Sequence, residues 1–122
     1  MICPFCSPIL SEVITTNDYA YALFDKYPIN LGHILIIPKR HVESYFDTTQ
    51  EERKAMDKLL EECKDLLDKE YAPDGYNIGI NVGESAGQTI FHVHVHLMPR
   101  YTGDIDNPRG GVRGVIPEKR IY

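Results

Sequence analysis

His92, His94 and His96 occupy every second position of the run Phe91-His-Val-His-Val-His-Leu-Met98. In an extended strand alternate residues share a face, so the three imidazoles would form a row with neighbours about 6.6 Å apart, while Val93, Val95 and Leu97 point the other way. Three desolvated imidazoles on one face cost stability unless they bind something, whether a metal, a phosphate or one another. One histidine in such a strand would read as a hydrogen-bonded core residue; three in register point to a site. A second chemical feature is Cys3-Pro-Phe-Cys6. This is half of a zinc knuckle, and a redox pair has the same spacing, so two further ligands must come from elsewhere in the chain. Cys63 falls in the helical series Met56, Leu59, Leu60, Cys63, Leu67 and reads as a small buried hydrophobe.

The elements that must carry these residues follow from local pattern. Glu12–Thr16 and Tyr19–Phe24 are β-rich segments separated by Asn17-Asp18, a pair that tolerates the positive φ of a tight hairpin turn. His33–Pro38 is a dense aliphatic run with the character of a buried strand. Thr48 followed by Glu51 makes a capping-box pattern, opening a helix that runs to about Tyr71 with its apolar stripe inward. After the Asp74-Gly75 turn, Tyr76–Val82 and Phe91–Met98 alternate with period two and form the last two strands. The prediction is one α+β domain over residues 1–122: a mostly antiparallel five-stranded sheet with one long helix between strands 3 and 4. Residues 100–122, with two prolines and four glycines, are expected to form an extended or irregular arm.

The chain has 122 residues, 43% of them hydrophobic, enough for one cored domain. Its longest apolar stretches, Tyr19–Phe24 and Ile34–Ile37, are far shorter than the roughly 20 residues of a membrane span. The first residues lack a basic start and an apolar stretch, so a cytoplasmic location is expected. A net charge of −5 argues against a nucleic-acid polymer or an anionic membrane as partner. Most of that excess sits between Glu51 and Asp74, where nine acidic residues face five basic ones. It is the solvated face of one helix and says little against a small nucleotide.

With its surroundings, the histidine row resembles the histidine triad (HIT) family of nucleotide hydrolases and transferases. The signature His-φ-His-φ-His-φ-φ, φ being apolar, is filled by Val93, Val95, Leu97 and Met98, and the similarity extends to Gly87-Gln88-Thr89, Pro99-Arg100 and Leu31-Gly32-His33-Ile-Leu-Ile-Ile-Pro38. The resemblance implies a nucleophile at His94, with His96 donating to the phosphate oxygens and His33 lying against the same site. It implies Asp25 at the ribose hydroxyls, Asn81 as a substrate-contacting amide, and Gln88 and Thr89 beside the leaving group. Asp25 equally suits capping of a turn, and Asn81 a strand-end bond to backbone. A zinc-binding bacterial branch of the family implies structural zinc on Cys3, Cys6, His41 and His92, and the family fold implies a homodimer with a continuous ten-stranded sheet. The expected activity releases a nucleoside monophosphate, AMP first, from dinucleoside polyphosphates or adenosine phosphoramidates through a nucleotidyl-histidine intermediate. Two other readings stay open at this point: a metal-dependent hydrolase with the His-x-His-x-His row as catalytic ligands, and a nucleotide-binding regulator with little turnover.

Overall fold

The five β segments and the helix form in the expected order, and the computed structural model describes residues 3–122. The strands are β1 (Val13–Thr16), β2 (Ala20–Phe24), β3 (Ile34–Pro38), β4 (Gly75–Ile80) and β5 (Val95–Arg100), and helix α1 is Gln50–Tyr71. Their order in the sheet is β1-β2-β3-β5-β4, with every pairing antiparallel. The helix between β3 and β4 lets the last strand, β5, insert between β3 and β4.

Period-two alternation divides the sheet into two faces. Ala20, Ala22, Ile34, Ile36, Val95 and Leu97 pack against Met56, Leu59, Cys63 and Leu67 of α1. Leu59 and Leu67 are wholly buried, and each such side chain stabilises the fold by roughly 1.5–3 kcal/mol. Cys63 is the buried hydrophobe its spacing implied, and burial pushes its thiol up to about 11, away from reactivity. On the opposite face Tyr21, Leu35 and Ile37 form a smaller cluster with Phe5. Leu35 is the register partner of His96, so this second face is the one that carries histidine chemistry.

Three local expectations are corrected. The capping box of α1 uses Thr49 and Glu52, one residue later than Thr48 and Glu51. Thr48 instead donates its hydroxyl to the Tyr45 carbonyl, while buried Glu52 also takes the Arg40 guanidinium through both carboxylate oxygens. That pairing ties the end of β3 to the start of the helix. The β1–β2 turn needs no positive φ at Asn17 or Asp18, since Ala72 is the one non-glycine residue with positive φ among those described. The Asn17 side chain closes the turn by accepting the amides of Tyr19 and Ala20. Finally, regular pairing of β5 begins at Val95, so His92 and His94 lie on its lead-in, which keeps one backbone bond from Val93 N–H to the Val42 carbonyl.

The tail is irregular, with 3₁₀ turns at Gly111–Val115 and Pro117–Lys119. It is anchored at its start, where Arg100 holds Asp104 through two nitrogens. No helix among the described residues is long and apolar enough to cross a membrane.

Candidate functional site: a histidine pair beside a Cys/His cluster

A cavity of about 700 Å³ opens on the second face, lined by Asp25, Asn81, Thr89, His94 and His96 together with Phe5, Leu23 and Leu35. Hydrogen bonds determine which nitrogen of each imidazole carries the proton. His94 Nδ1 lies 2.9 Å from the His92 carbonyl oxygen. A carbonyl can only accept, so the proton is on Nδ1 and Nε2 keeps its lone pair. At His33 the Ile29 amide donates to Nδ1 at 3.1 Å, so the proton is on Nε2. That Nε2–H faces His96 Nδ1 at 3.0 Å, with Asp25 Oδ2 3.5 Å away. His96 therefore accepts at Nδ1 and carries its own proton on Nε2.

Charge follows from burial. Burial pushes His96 down to about 4, and the neighbouring His94 and His33 push it the same way. Burial also lowers His33, opposed by the Asp25 carboxylate. Both rings stay neutral at neutral pH, as the directed donor–acceptor chain requires.

His92 belongs to a different cluster. Its ring is fully buried and donates from Nε2 to the Pro38 carbonyl at 2.7 Å, which leaves an Nδ1 lone pair facing the cysteines. Cys3 Sγ and Cys6 Sγ lie 3.4 and 3.7 Å from that Nδ1, and His41 Nδ1 lies 3.2 Å from Cys6 Sγ. A tetrahedral zinc with Zn–S about 2.3 Å and Zn–N about 2.0 Å separates adjacent sulfur and nitrogen ligands by about 3.5 Å. The four donors, all within 4.8 Å of one another, thus fit a closed Cys₂His₂ zinc site, and the Pro38 carbonyl supplies the outer bond that orients a ligating histidine.

The three imidazoles fall into two sets: His92 lies with Cys3, Cys6 and His41, while His94 and His96, with ring centroids 5.0 Å apart, face the cavity. Asp25, His33 and His96 also bring three donors together. That set is poorly suited to a metal, because the Ile29 amide forces a proton onto the His33 nitrogen that would have to ligate.

The HIT domain family profile matches residues 7–103. The chain belongs to the HIT family. An uncharacterized 16.1 kDa HIT-like protein of Mycoplasma pneumoniae is 37% identical over 103 residues, covering 81% of this chain and 72% of that one. A bis(5'-adenosyl)-triphosphatase of Dictyostelium discoideum is 34% identical over 97 residues, covering 80% of this chain and 65% of that one. Among solved structures, a Zn-bound histidine triad family protein from Mycobacterium smegmatis superposes with a TM-score of 0.74 at 33% identity, covering 84% of this chain and 77% of that one.

Of the residues that HIT resemblance singled out, Asp25, Asn81, Thr89, His94 and His96 line the cavity, and His33 lies directly behind His96. Gln88 turns inward. Its amide oxygen accepts the Gly83 N–H and its nitrogen donates to the Glu43 and Ile90 carbonyls, so it holds the loop that presents Thr89. Phe5 was not singled out by sequence, yet its ring meets those of His92 and His94 edge-on at 6.0 and 5.1 Å. The available signal was its place between Cys3 and Cys6, which carries an aromatic ring wherever the two thiols are held.

Proposed function

We propose that this HIT protein is a nucleotide hydrolase or transferase that releases a nucleoside monophosphate, AMP first, through a nucleotidyl-His94 intermediate. The observation that carries the reading is the His94 Nδ1–H bond to the His92 carbonyl, which leaves Nε2 as the nitrogen available for attack beside a nucleotide-sized cavity. In the first step Nε2 attacks the α-phosphorus, forming an N–P bond as the bond to the leaving group breaks. His96, with its proton on Nε2, donates to the phosphoryl oxygens as charge develops there, and His33 holds it in that tautomer. Water then attacks the phosphorus, the N–P bond breaks, and His94 is restored. Asp25, Asn81 and Thr89 line the same cavity and are assigned to the substrate; Gln88, assigned beside the leaving group by resemblance, acts by shaping their loop. The Dictyostelium relative's name supports a dinucleoside polyphosphate as the first substrate to try.

The same reading assigns structural zinc to Cys3, Cys6, His41 and His92. When bound, that ion cross-links the N-terminal segment to the ends of β3 and β5 and adds no chemistry at phosphorus. Metal analysis should find one zinc per chain, retained in His94→Ala and lost in Cys3→Ser/Cys6→Ser; retention by the double variant would remove the cysteines from the site. A homodimer is part of the proposal, since β4 leaves an open sheet edge for pairing with a second copy. The catalytic reading is tested by intact-protein mass spectrometry of wild type and His94→Gly mixed with a diadenosine polyphosphate. An adenylated wild type and an unmodified variant are expected, and full turnover by the variant would exclude the mechanism.

A further inference from the structure

The knuckle and the cavity share residues. Phe5, held between Cys3 and Cys6, is buried in the second-face cluster and presents its ring edge-on to the nucleophile His94 at 5.1 Å. Its carbonyl accepts the Tyr21 hydroxyl at 2.6 Å, so this segment is pinned to β2 as well as, through its thiols, to His41 and His92. Pro4, Ser7, Pro8 and Ile9 from the same segment extend the cavity wall. A second link runs through His92, whose ring nitrogen faces the cysteines while its own carbonyl orients His94 Nδ1–H.

We propose that Phe5 is a positioning residue through which the Cys3–Cys6 knuckle holds the His94 imidazole, so that occupation of the metal site and of the nucleotide cavity reinforce one another. The inference rests on the nucleotide and zinc readings above and adds a coupling between them. Without the metal cross-link, the Cys3–Ile9 segment is tied by the Phe5–Tyr21 bond and by apolar packing. A nucleotide then completes the ordering of the wall and of the Phe5–His94 contact as it binds. With the metal bound, that ordering is already in place, and by linkage a bound nucleotide must hold the metal to the same degree.

The test measures zinc transfer from the zinc-loaded protein to a chromogenic chelator, with and without saturating AMP, and AMP affinity by calorimetry for the loaded and stripped protein. At least about a fivefold slowing of zinc release by AMP, matched by a similar loss of AMP affinity on stripping, is expected. Phe5→Leu keeps an apolar side chain in the cluster but removes the aromatic edge. It should still bind one zinc and AMP, lose most of the coupling, and show a lower kcat with a smaller change in KM. Wild-type protein that binds both ligands with no mutual effect overturns the inference alone. Failure to bind zinc or AMP at all overturns it together with the reading on which it rests. Full coupling retained in Phe5→Leu would overturn the assignment to Phe5.

Discussion

Neutral, buried histidines make a quantitative demand on stability in mild acid. The unfolded chain protonates His96 near the ordinary value of 6.5, whereas the folded chain does so only at about 4. Between those values the unfolded state binds more protons, so stability is complete above about pH 6.5 and declines as pH falls toward 4. Integrating the two titrations from pH 7.5 to 5 gives a loss of about 2 kcal/mol from this one group. His96 keeps some solvent contact at the cavity, which reduces the expected loss to about 1–2 kcal/mol. His33 and His92, both lowered chiefly by burial, act in the same direction. The assay is urea unfolding of wild type and His96→Asn at pH 7.5, 6 and 5, read as the change in unfolding free energy with pH. Subtracting the variant's pH dependence removes the parts due to the other histidines and to metal loss. A wild-type slope no steeper than the variant's would refute the neutral His33–His96 pair.

Two substitutions test how the site is supported. Gln88→Ala removes three bonds to Gly83, Glu43 and Ile90 and should cost about 2–4 kcal/mol in denaturant unfolding, with loss of exchange protection at the Gly83 amide; unchanged stability with reduced activity would place Gln88 against the substrate instead. Gly32→Ala puts a side chain at φ +94°, with its Cβ 2.8 Å from Leu67 Cδ2 and 3.2 Å from Tyr71 Cδ2. Backbone strain and overpacking together should lower stability by about 2–4 kcal/mol, and a thermal midpoint equal to wild type would contradict that packing.

Element order and the buried face of α1 were legible in the sequence because periods of two and 3.6 are local properties. The helix start slipped by one residue because Thr48 and Thr49 each precede a glutamate by three positions; the Arg40–Glu52 pairing, which chooses between them, is tertiary. Alternation puts the three histidines in one row; the grouping of His92 with Cys3, Cys6 and His41 is implied only by the family resemblance, because those residues arrive from distant segments. The family resemblance implies Gln88 beside the leaving group, and only its three inward bonds reveal a structural task. Asp25, His33 and His96 are legible as residue types, whereas the direction of the His33–His96 bond comes from the Ile29 amide, a backbone group with no sequence signal.

The central claim is that His94 Nε2 becomes covalently bonded to phosphorus. It is tested most directly by mixing excess protein with a diadenosine polyphosphate, quenching without acid because the N–P bond is acid-labile, and mapping the adduct by mass spectrometry over the first turnover. An adenylyl group on His94 that forms and decays at rates matching turnover is expected, and none on His94→Gly. Product released at the full single-turnover rate with no adduct on His94 would contradict it.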